Sequence, residues 1–256
     1  MPQSAVKRKA GWQPVRGETL SRRIVRQIRA ALFAGELTPG EALGGELRLA
    51  QKFGVSRMAM RDALRSLAAA GIVDIRVGAR GGVFIAHGDP ERFADALAIQ
   101  LKLIGVGVEE MFDAQIAIEV TATEFAARRL TPADRESLHA LLAELDAIAA
   151  SPMHAEAPLR FTELSMRFHE ALVEASHNRA LIAQFKALRF VLEPVYARRT
   201  TGEVARRVVA SHRAVLERVE AGDAEGARQL MHWRLQVVRA RQLTAAVAPE
   251  EKPPPT

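Results

Sequence analysis

Apolar residues near the start of the chain recur with the period of a helix. Four of them repeat every four positions: Leu20, Ile24, Ile28 and Leu32. This spacing places one apolar stripe along a helix face. We therefore expect a first helix from about residue 19, ended by Gly35 because glycine commonly closes a helix.

Two shorter helices are predicted next, and a tight turn joins them. The second helix runs from about residue 46 to residue 53, with apolar residues spaced for burial at Leu47, Ala50 and Phe53. Gly54 suits a left-handed closing residue, and Ser56 suits the N-cap of a third helix over residues 57–70. The pair is typical of a helix-turn-helix, whose second helix enters the major groove of DNA.

A hairpin is predicted after the third helix. Residues 72–77 and 83–85 are rich in β-branched and aromatic residues, and residues 78–82 contain three glycines. Two such runs around a glycine-rich turn are typical of a β-hairpin. A basic hairpin after a helix-turn-helix is a wing, with Arg76 and Arg80 at or beside its tip.

Residues beyond 90 show only helical patterns, and the expected fold class is therefore mostly α. We expect a winged helix-turn-helix of three helices plus a β-hairpin, joined to an all-helical bundle of six to seven helices. The predicted organisation is a disordered basic arm (1–17), the winged domain (18–86), a linker (87–90), the helical domain (91–246) and a disordered tail (247–256). Pro194 should kink the helix that contains it.

The positive charge of the chain is concentrated in its first third. Residues 1–90 hold 15 Lys and Arg against 7 Asp and Glu, whereas residues 91–256 hold 21 against 23. A basic segment beside a nearly neutral one indicates that one domain meets a polyanion. The chain lacks cysteine and any apolar run of about 20 residues, which argues against disulfides and membrane spans and favours a cytoplasmic location.

The N-terminal pattern resembles the winged helix-turn-helix of the GntR regulators. The resemblance rests on Val55-Ser56-Arg57, Arg61, the Ala63-Leu64 pair with Leu67, and the wing glycines. It implies sequence-specific contacts with double-stranded operator DNA. Two departures concern Leu47 and Met58, where the family usually has Arg and Thr, so that Arg48 becomes a displaced substitute. The expected DNA-binding residues are Arg48, Ser56, Arg57, Met58, Arg61, Arg76, Gly78 and Arg80.

The C-terminal pattern resembles the helical sensor domain of the FadR branch, an FCD-type domain. That resemblance implies a cavity with a metal held by one Asp and three His, and a helper Arg. Here His169 and His212 stand at two His positions, but Ser165 replaces the Asp and Arg234 replaces the last His. Gln115 replaces the helper Arg.

This altered set leaves three interpretations open. In the first, Arg234 supplies the positive charge and binds a small carboxylate or sugar acid, with Gln115, Ser165, His169 and His212 adding hydrogen bonds. In the second, His169 and His212 still hold zinc or nickel, although a guanidinium repels a cation. In the third, Arg234 pairs with a nearby Glu, and the two histidines are ordinary buried residues.

Together these patterns predict a ligand-responsive transcriptional regulator that acts as a homodimer on a palindromic operator. The resemblance favours repression that an effector relieves. A metal-dependent sensor of the same family and an effector-independent DNA-binding protein are the alternatives. An enzyme is disfavoured because the sequence lacks hydrolase and phosphate-loop motifs, and RNA binding is disfavoured because aromatic residues make up only 5%.

Overall fold

The computed structural model describes residues 18–78, 81–152, 154, 156–197 and 200–244. The chain divides into two compact units, Met1–Gly88 and Asp89–Thr256. The described residues form ten helices and a small sheet, which confirms the mostly-α class with a winged N-terminal unit. None of the described helices combines the length and apolarity that crossing a membrane requires.

The N-terminal unit folds around one apolar core. Its elements are α1 (Leu20–Phe33), β1 (Ala42–Gly44), α2 (Glu46–Lys52), α3 (Arg57–Ala69), β2 (Val73–Arg76) and β3 (Gly82–Ile85). The expected inward residues of α3, Met60, Leu64 and Leu67, are buried. One burial prediction was wrong: Leu47 is exposed, and on α2 the core is reached by Leu49 instead. Leu20, at the start of the apolar stripe of α1, is also exposed.

The turn between α2 and α3 is made by the residues that the sequence indicated. Gly54 has a φ of +63°, a left-handed conformation that a side chain disfavours. The Ser56 hydroxyl accepts a hydrogen bond from the backbone N–H of Ala59 at 3.2 Å and so caps α3. The turn thereby fixes where the helix of the predicted DNA contacts begins.

The wing is part of a three-stranded antiparallel sheet with the order β1-β3-β2. Strand β3 pairs with β2 through partners such as Asp74 and Phe84, and with β1 through Ala42 and Phe84. The sequence predicted only the β2–β3 hairpin. It missed β1 because three residues that end in Gly44 carry no β-branched or aromatic side chain.

The described residues of the C-terminal unit form seven helices, within the six to seven predicted. They are α4 (Pro90–Leu103), α5 (Val108–Arg129), α6 (Pro132–Ala149), α7 (Ala157–Glu174), α8 (Arg179–Ala197), α9 (Gly202–Glu220) and α10 (Ala224–Thr244). Asp89 caps α4, so Pro90, which the sequence placed in the linker, is its first residue. Thr131 and Asp134 cap α6 reciprocally. Helix α8 continues through Pro194.

Candidate functional sites

The exposed face of α3 presents a cluster of opposite charges. Arg61 donates two hydrogen bonds to the carboxylate of Glu46, from Nε at 3.0 Å and from Nη2 at 2.9 Å. The Nε atom of Arg57 lies 3.6 Å from the same carboxylate. We call Glu46, Arg57 and Arg61 the Glu46 cluster. It joins the start of α2 to the first two turns of α3.

The Glu46 cluster is open to solvent. The side chains of Arg57 and Arg61 are 64% and 44% exposed. Hydrogen bonding to Arg61 lowers the pKa of Glu46, and the same bond raises the pKa of Arg61. Because exposed ion pairs contribute little to stability, both guanidinium groups can exchange this carboxylate for a phosphate at small cost.

A groove of about 410 Å³ lies between α3 and the wing. Arg61, Arg65 and Arg76 line it, and the guanidinium of Arg76 stacks 4.2 Å from the centre of the Phe84 ring. The backbone is tight at Gly81, where a Cβ atom would lie 2.5 Å from the carbonyl oxygen of Arg76. Only glycine fits there, so the wing presents bare backbone beside three cationic side chains.

The other predicted DNA-binding residues occupy different settings. Arg48 is exposed on α2, Met58 is 64% exposed on α3, and Ser56 serves as the cap of α3. Gly78 has a φ of +101° at the end of the wing strand. Arg80, the basic arm and the C-terminal tail lie outside the described residues. DNA contact by each of these residues stays a prediction.

The C-terminal unit contains a cavity of about 380 Å³ between α7, α8, α9 and α10. Three of the predicted effector residues line it: Ser165, His169 and Arg234. The other two, Gln115 and His212, are 1% and 0% exposed and lie behind the cavity wall. The five predicted residues are therefore close together, but in two layers.

A chain of buried hydrogen bonds links the two layers. The Tyr196 hydroxyl donates to Gln115 Oε1 at 2.8 Å, and Gln115 Nε2 donates to Glu119 Oε1 at 2.6 Å. The second Glu119 oxygen contacts His169 Nδ1, and His169 Nε2 lies 3.0 Å from Nη2 of Arg234. We call these five residues the buried chain; it connects α5, α7, α8 and α10.

The charges of the buried chain define the protonation of His169. A guanidinium only donates, so His169 Nε2 must accept from Arg234, and Nδ1 carries the proton that is donated to Glu119. Burial lowers the pKa of His169, the Glu119 carboxylate opposes that shift, and Arg234 reinforces it. A neutral imidazole thus stands between a buried carboxylate and a buried guanidinium.

His212 supports Ser165 from behind. Its ring stacks on Phe168 with centroids 4.3 Å apart, and Nε2 lies 3.0 Å from the Ser165 hydroxyl. Burial, with the positive charge of Arg234, lowers the pKa of His212 well below its usual value. Among the described atoms, Nδ1 has no partner. A proton on Nε2 avoids an orphaned N–H, and it leaves the Ser165 proton available to the cavity.

These residues do not fit the metal site that the FadR-type resemblance implies. Both ring nitrogens of His169 already face partners, and Arg234 puts a cation at the position of a ligand. No group of three or more metal-ligating side chains occurs among the described residues. The alternative in which His169 and His212 hold zinc or nickel therefore has no donor set to complete it.

Two members of the buried chain were not predicted. Glu119 lies one turn after Gln115 on the same face of α5, and Tyr196 comes from α8. The signal for Glu119 was an acidic residue on the mainly apolar buried face of α5. Its partner His169 is 50 positions away, so only the packing of the helices identifies it.

Comparison with known proteins yields the same two-part division. Residues 20–85 match the bacterial regulatory proteins of the gntR family, and residues 110–236 match the FCD domain. The candidate L-lactate dehydrogenase operon regulatory protein of Escherichia coli (strain K12) is 31% identical over 228 residues, which cover 86% of this chain and 84% of that protein.

Two further similarities extend over most of the chain. The transcriptional regulator Mce2R of Mycobacterium tuberculosis (strain CDC 1551 / Oshkosh) is 28% identical, with 92% of this chain and 97% of the relative covered. A solved GntR structure from Streptococcus agalactiae shares the fold, with a TM-score of 0.56 at 20% identity, covering 86% of this chain and 99% of that one.

The winged unit and the FCD domain define a DNA-binding transcriptional regulator, not an enzyme. The chain belongs to the gntR family of bacterial regulatory proteins.

Proposed function

We propose that this regulator changes its affinity for operator DNA when a small organic carboxylate binds to Arg234 in the helical unit. The observation that carries the proposal is a buried guanidinium, 6% exposed, in the wall of a cavity between helices. A guanidinium has five N–H donors and matches a carboxylate in a bidentate fork. The carboxylate of Glu119 that balances its charge lies on the far side of His169, so it does not block the cavity.

The neighbours of Arg234 favour an anion. Two more arginines, Arg207 and Arg241, line the cavity, and no Asp or Glu belongs to its described lining. Ser165 offers a hydroxyl proton beside Arg234, whereas Gln115 and His212 would act by holding Glu119 and Ser165 in place. The name of one relative refers to an L-lactate dehydrogenase operon, and lactate is itself a small carboxylate.

The same proposal includes five further points: the FadR-branch assignment, a homodimer, a palindromic operator, a cytoplasmic location and repression that the effector relieves. A pair of winged units would read two half-sites related by the symmetry of the dimer. The helical unit, residues 91–246 in the sequence-based division, would both dimerise and sense the effector. Sedimentation of the full chain with and without an operator duplex measures the stoichiometry directly.

The experiment combines metal analysis with thermal shift on the full chain. We expect well under one equivalent of zinc, nickel or manganese, and a carboxylate-induced shift that survives chelator. Arg234→Met should abolish that shift, while the matched control Arg207→Met, in the same cavity wall, should retain most of it.

The paired substitution Ser165→Asp with Arg234→His rebuilds the usual ligand set and should restore tight metal binding. A stoichiometric metal on the unmodified protein, lost with chelator together with the carboxylate shift, overturns the role of Arg234.

A further inference from the structure

The walls of the cavity show which kind of carboxylate it would accept. Beyond the Arg234 end, the lining is mainly apolar side chains of α7, α9 and α10. The ones that shape it are Phe161, Met166, Val204, Val208, Leu235 and Val238. A ligand body that touches these side chains gains affinity by removing apolar surface from water.

Three of the five hydroxyl groups that line the cavity, those of Thr162, Tyr196 and Thr200, are already hydrogen-bonded within the protein. Thr162 donates to the carbonyl oxygen of Pro158 at 2.9 Å, and its hydroxyl lies 2.9 Å from that of Thr200. The Tyr196 hydroxyl is committed to Gln115 in the buried chain. Against this part of the wall, a ligand with many hydroxyl groups would have to break these bonds or bury some of its own groups unpaired, and each unpaired group is costly.

The volume of the cavity also favours a ligand with an apolar body. At about 30 Å³ for each water molecule, 380 Å³ corresponds to roughly a dozen waters. A three-carbon hydroxy acid would fill only about a third of that space. A longer acid would displace the remaining water from apolar walls, which is favourable.

We infer that the effector is a monocarboxylate with an apolar alkyl or aryl body, with its head at Arg234 and Ser165. The inference rests on the proposed function, because it takes Arg234 as the anchor. It disfavours polyhydroxylated sugar acids, which the sequence had left open.

The test is calorimetric titration of the full chain with propionate, butyrate, pentanoate and hexanoate, and with gluconate. Each added methylene should tighten binding about fourfold, the value expected for burying one such group. Gluconate, which has a similar chain length but five hydroxyl groups, should bind at least tenfold more weakly than hexanoate.

Two variants separate the anchor from the body. Arg234→Met should weaken the whole series by a similar factor, and the dependence on chain length should persist among the acids whose binding stays measurable. Val204→Thr places a hydroxyl in the wall and should reduce that dependence, whereas Val191→Thr, an equal change on α8 outside the lining, should not.

The outcomes are distinguishable. If Arg234→Met abolishes binding but affinity does not rise with chain length, or gluconate binds best, the apolar body is wrong and the proposed function stands. If Arg234→Met changes no affinity, the anchor is wrong, and both proposals are overturned. Failure of every straight-chain acid to bind at millimolar concentration also overturns the apolar body.

Discussion

The two units each pair an arginine with a glutamate, but in opposite environments. In the N-terminal unit, Glu46 holds Arg57 and Arg61 on a surface that water reaches. In the C-terminal unit, Glu119 and Arg234 are both buried, with a neutral His169 between them. An exposed pair can exchange partners at little cost, whereas a buried one contributes to the integrity of the core. The same two residue types thus form an exchangeable surface contact in the N-terminal unit, whereas in the C-terminal unit they hold the Arg234 cation in a fixed position.

The largest expected effect concerns the stability of the buried pair. Glu119→Ala leaves the Arg234 charge without compensation and removes the acceptor of His169 and Gln115. We expect a loss of about 3–5 kcal/mol in the free energy of unfolding, measured by urea denaturation of the full chain. Glu46→Ala is the matched control and should leave the denaturation midpoint nearly unchanged. If both substitutions lowered the free energy of unfolding equally, the buried and the exposed glutamate would not differ in their contribution to stability.

The next effect concerns DNA affinity. Arg57→Ala and Arg61→Ala should each weaken binding to the cognate operator by roughly tenfold to a hundredfold if they contact base edges. Gel-shift titration against cognate and scrambled duplexes gives the measurement. Arg160→Ala, an exposed arginine of the helical unit, serves as the control. Unchanged cognate affinity in both variants would show that α3 does not read the operator.

The structure shows how far the sequence could predict these units. The helices and the cap at Ser56 were predictable because capping and apolar period depend on residues within a few positions of each other. The sequence did not predict strand β1, because its pairing with β3 joins segments some 40 residues apart. Residues of the cavity were located through the family resemblance, but Glu119 was not, since its bond to His169 depends on the packing of α5 against α7.

A third effect is a dependence of stability on pH. The pKa values of His169 and His212 are lowered by burial, so both stay neutral in the folded protein below the pH at which the unfolded chain takes up protons, about 6.5. The unfolded state then binds more protons, and stability falls as the pH drops below 6.5. The slope is at most about 1.4 kcal/mol per pH unit for each histidine.

Substitution isolates the contribution of one ring. Between pH 6.5 and pH 5.5, His212→Asn should reduce the slope of unfolding free energy against pH, while His232→Asn, on the exposed side of α10, should leave it unchanged. Urea denaturation at three pH values supplies the slopes. Identical slopes in the two variants would mean that folding does not change the pKa of His212.

The smallest expected effect concerns the exposed ion pairs of the Glu46 cluster. Glu46→Gln keeps the shape of the side chain and removes the charge that competes with phosphate for Arg57 and Arg61. Affinity for DNA should rise about twofold to fivefold, the range expected for an exposed ion pair. The gain should be larger for a scrambled duplex than for the operator, because phosphate contacts carry no sequence information. A loss of affinity for both duplexes would instead assign Glu46 to the orientation of Arg61.

Strand β1 has a consequence for the cost of binding DNA. It pairs with wing strand β3, and after the single residue Gly45, α2 begins at Glu46, which holds Arg61 on α3. The wing and the helix that faces the groove are thus tied together before any duplex arrives. A preorganised surface loses less conformational entropy on association than two independently moving elements would. Lengthening the loop ahead of β1 should therefore be tolerated, whereas an extra residue between β1 and α2 should uncouple the two elements and weaken binding with every DNA contact still present.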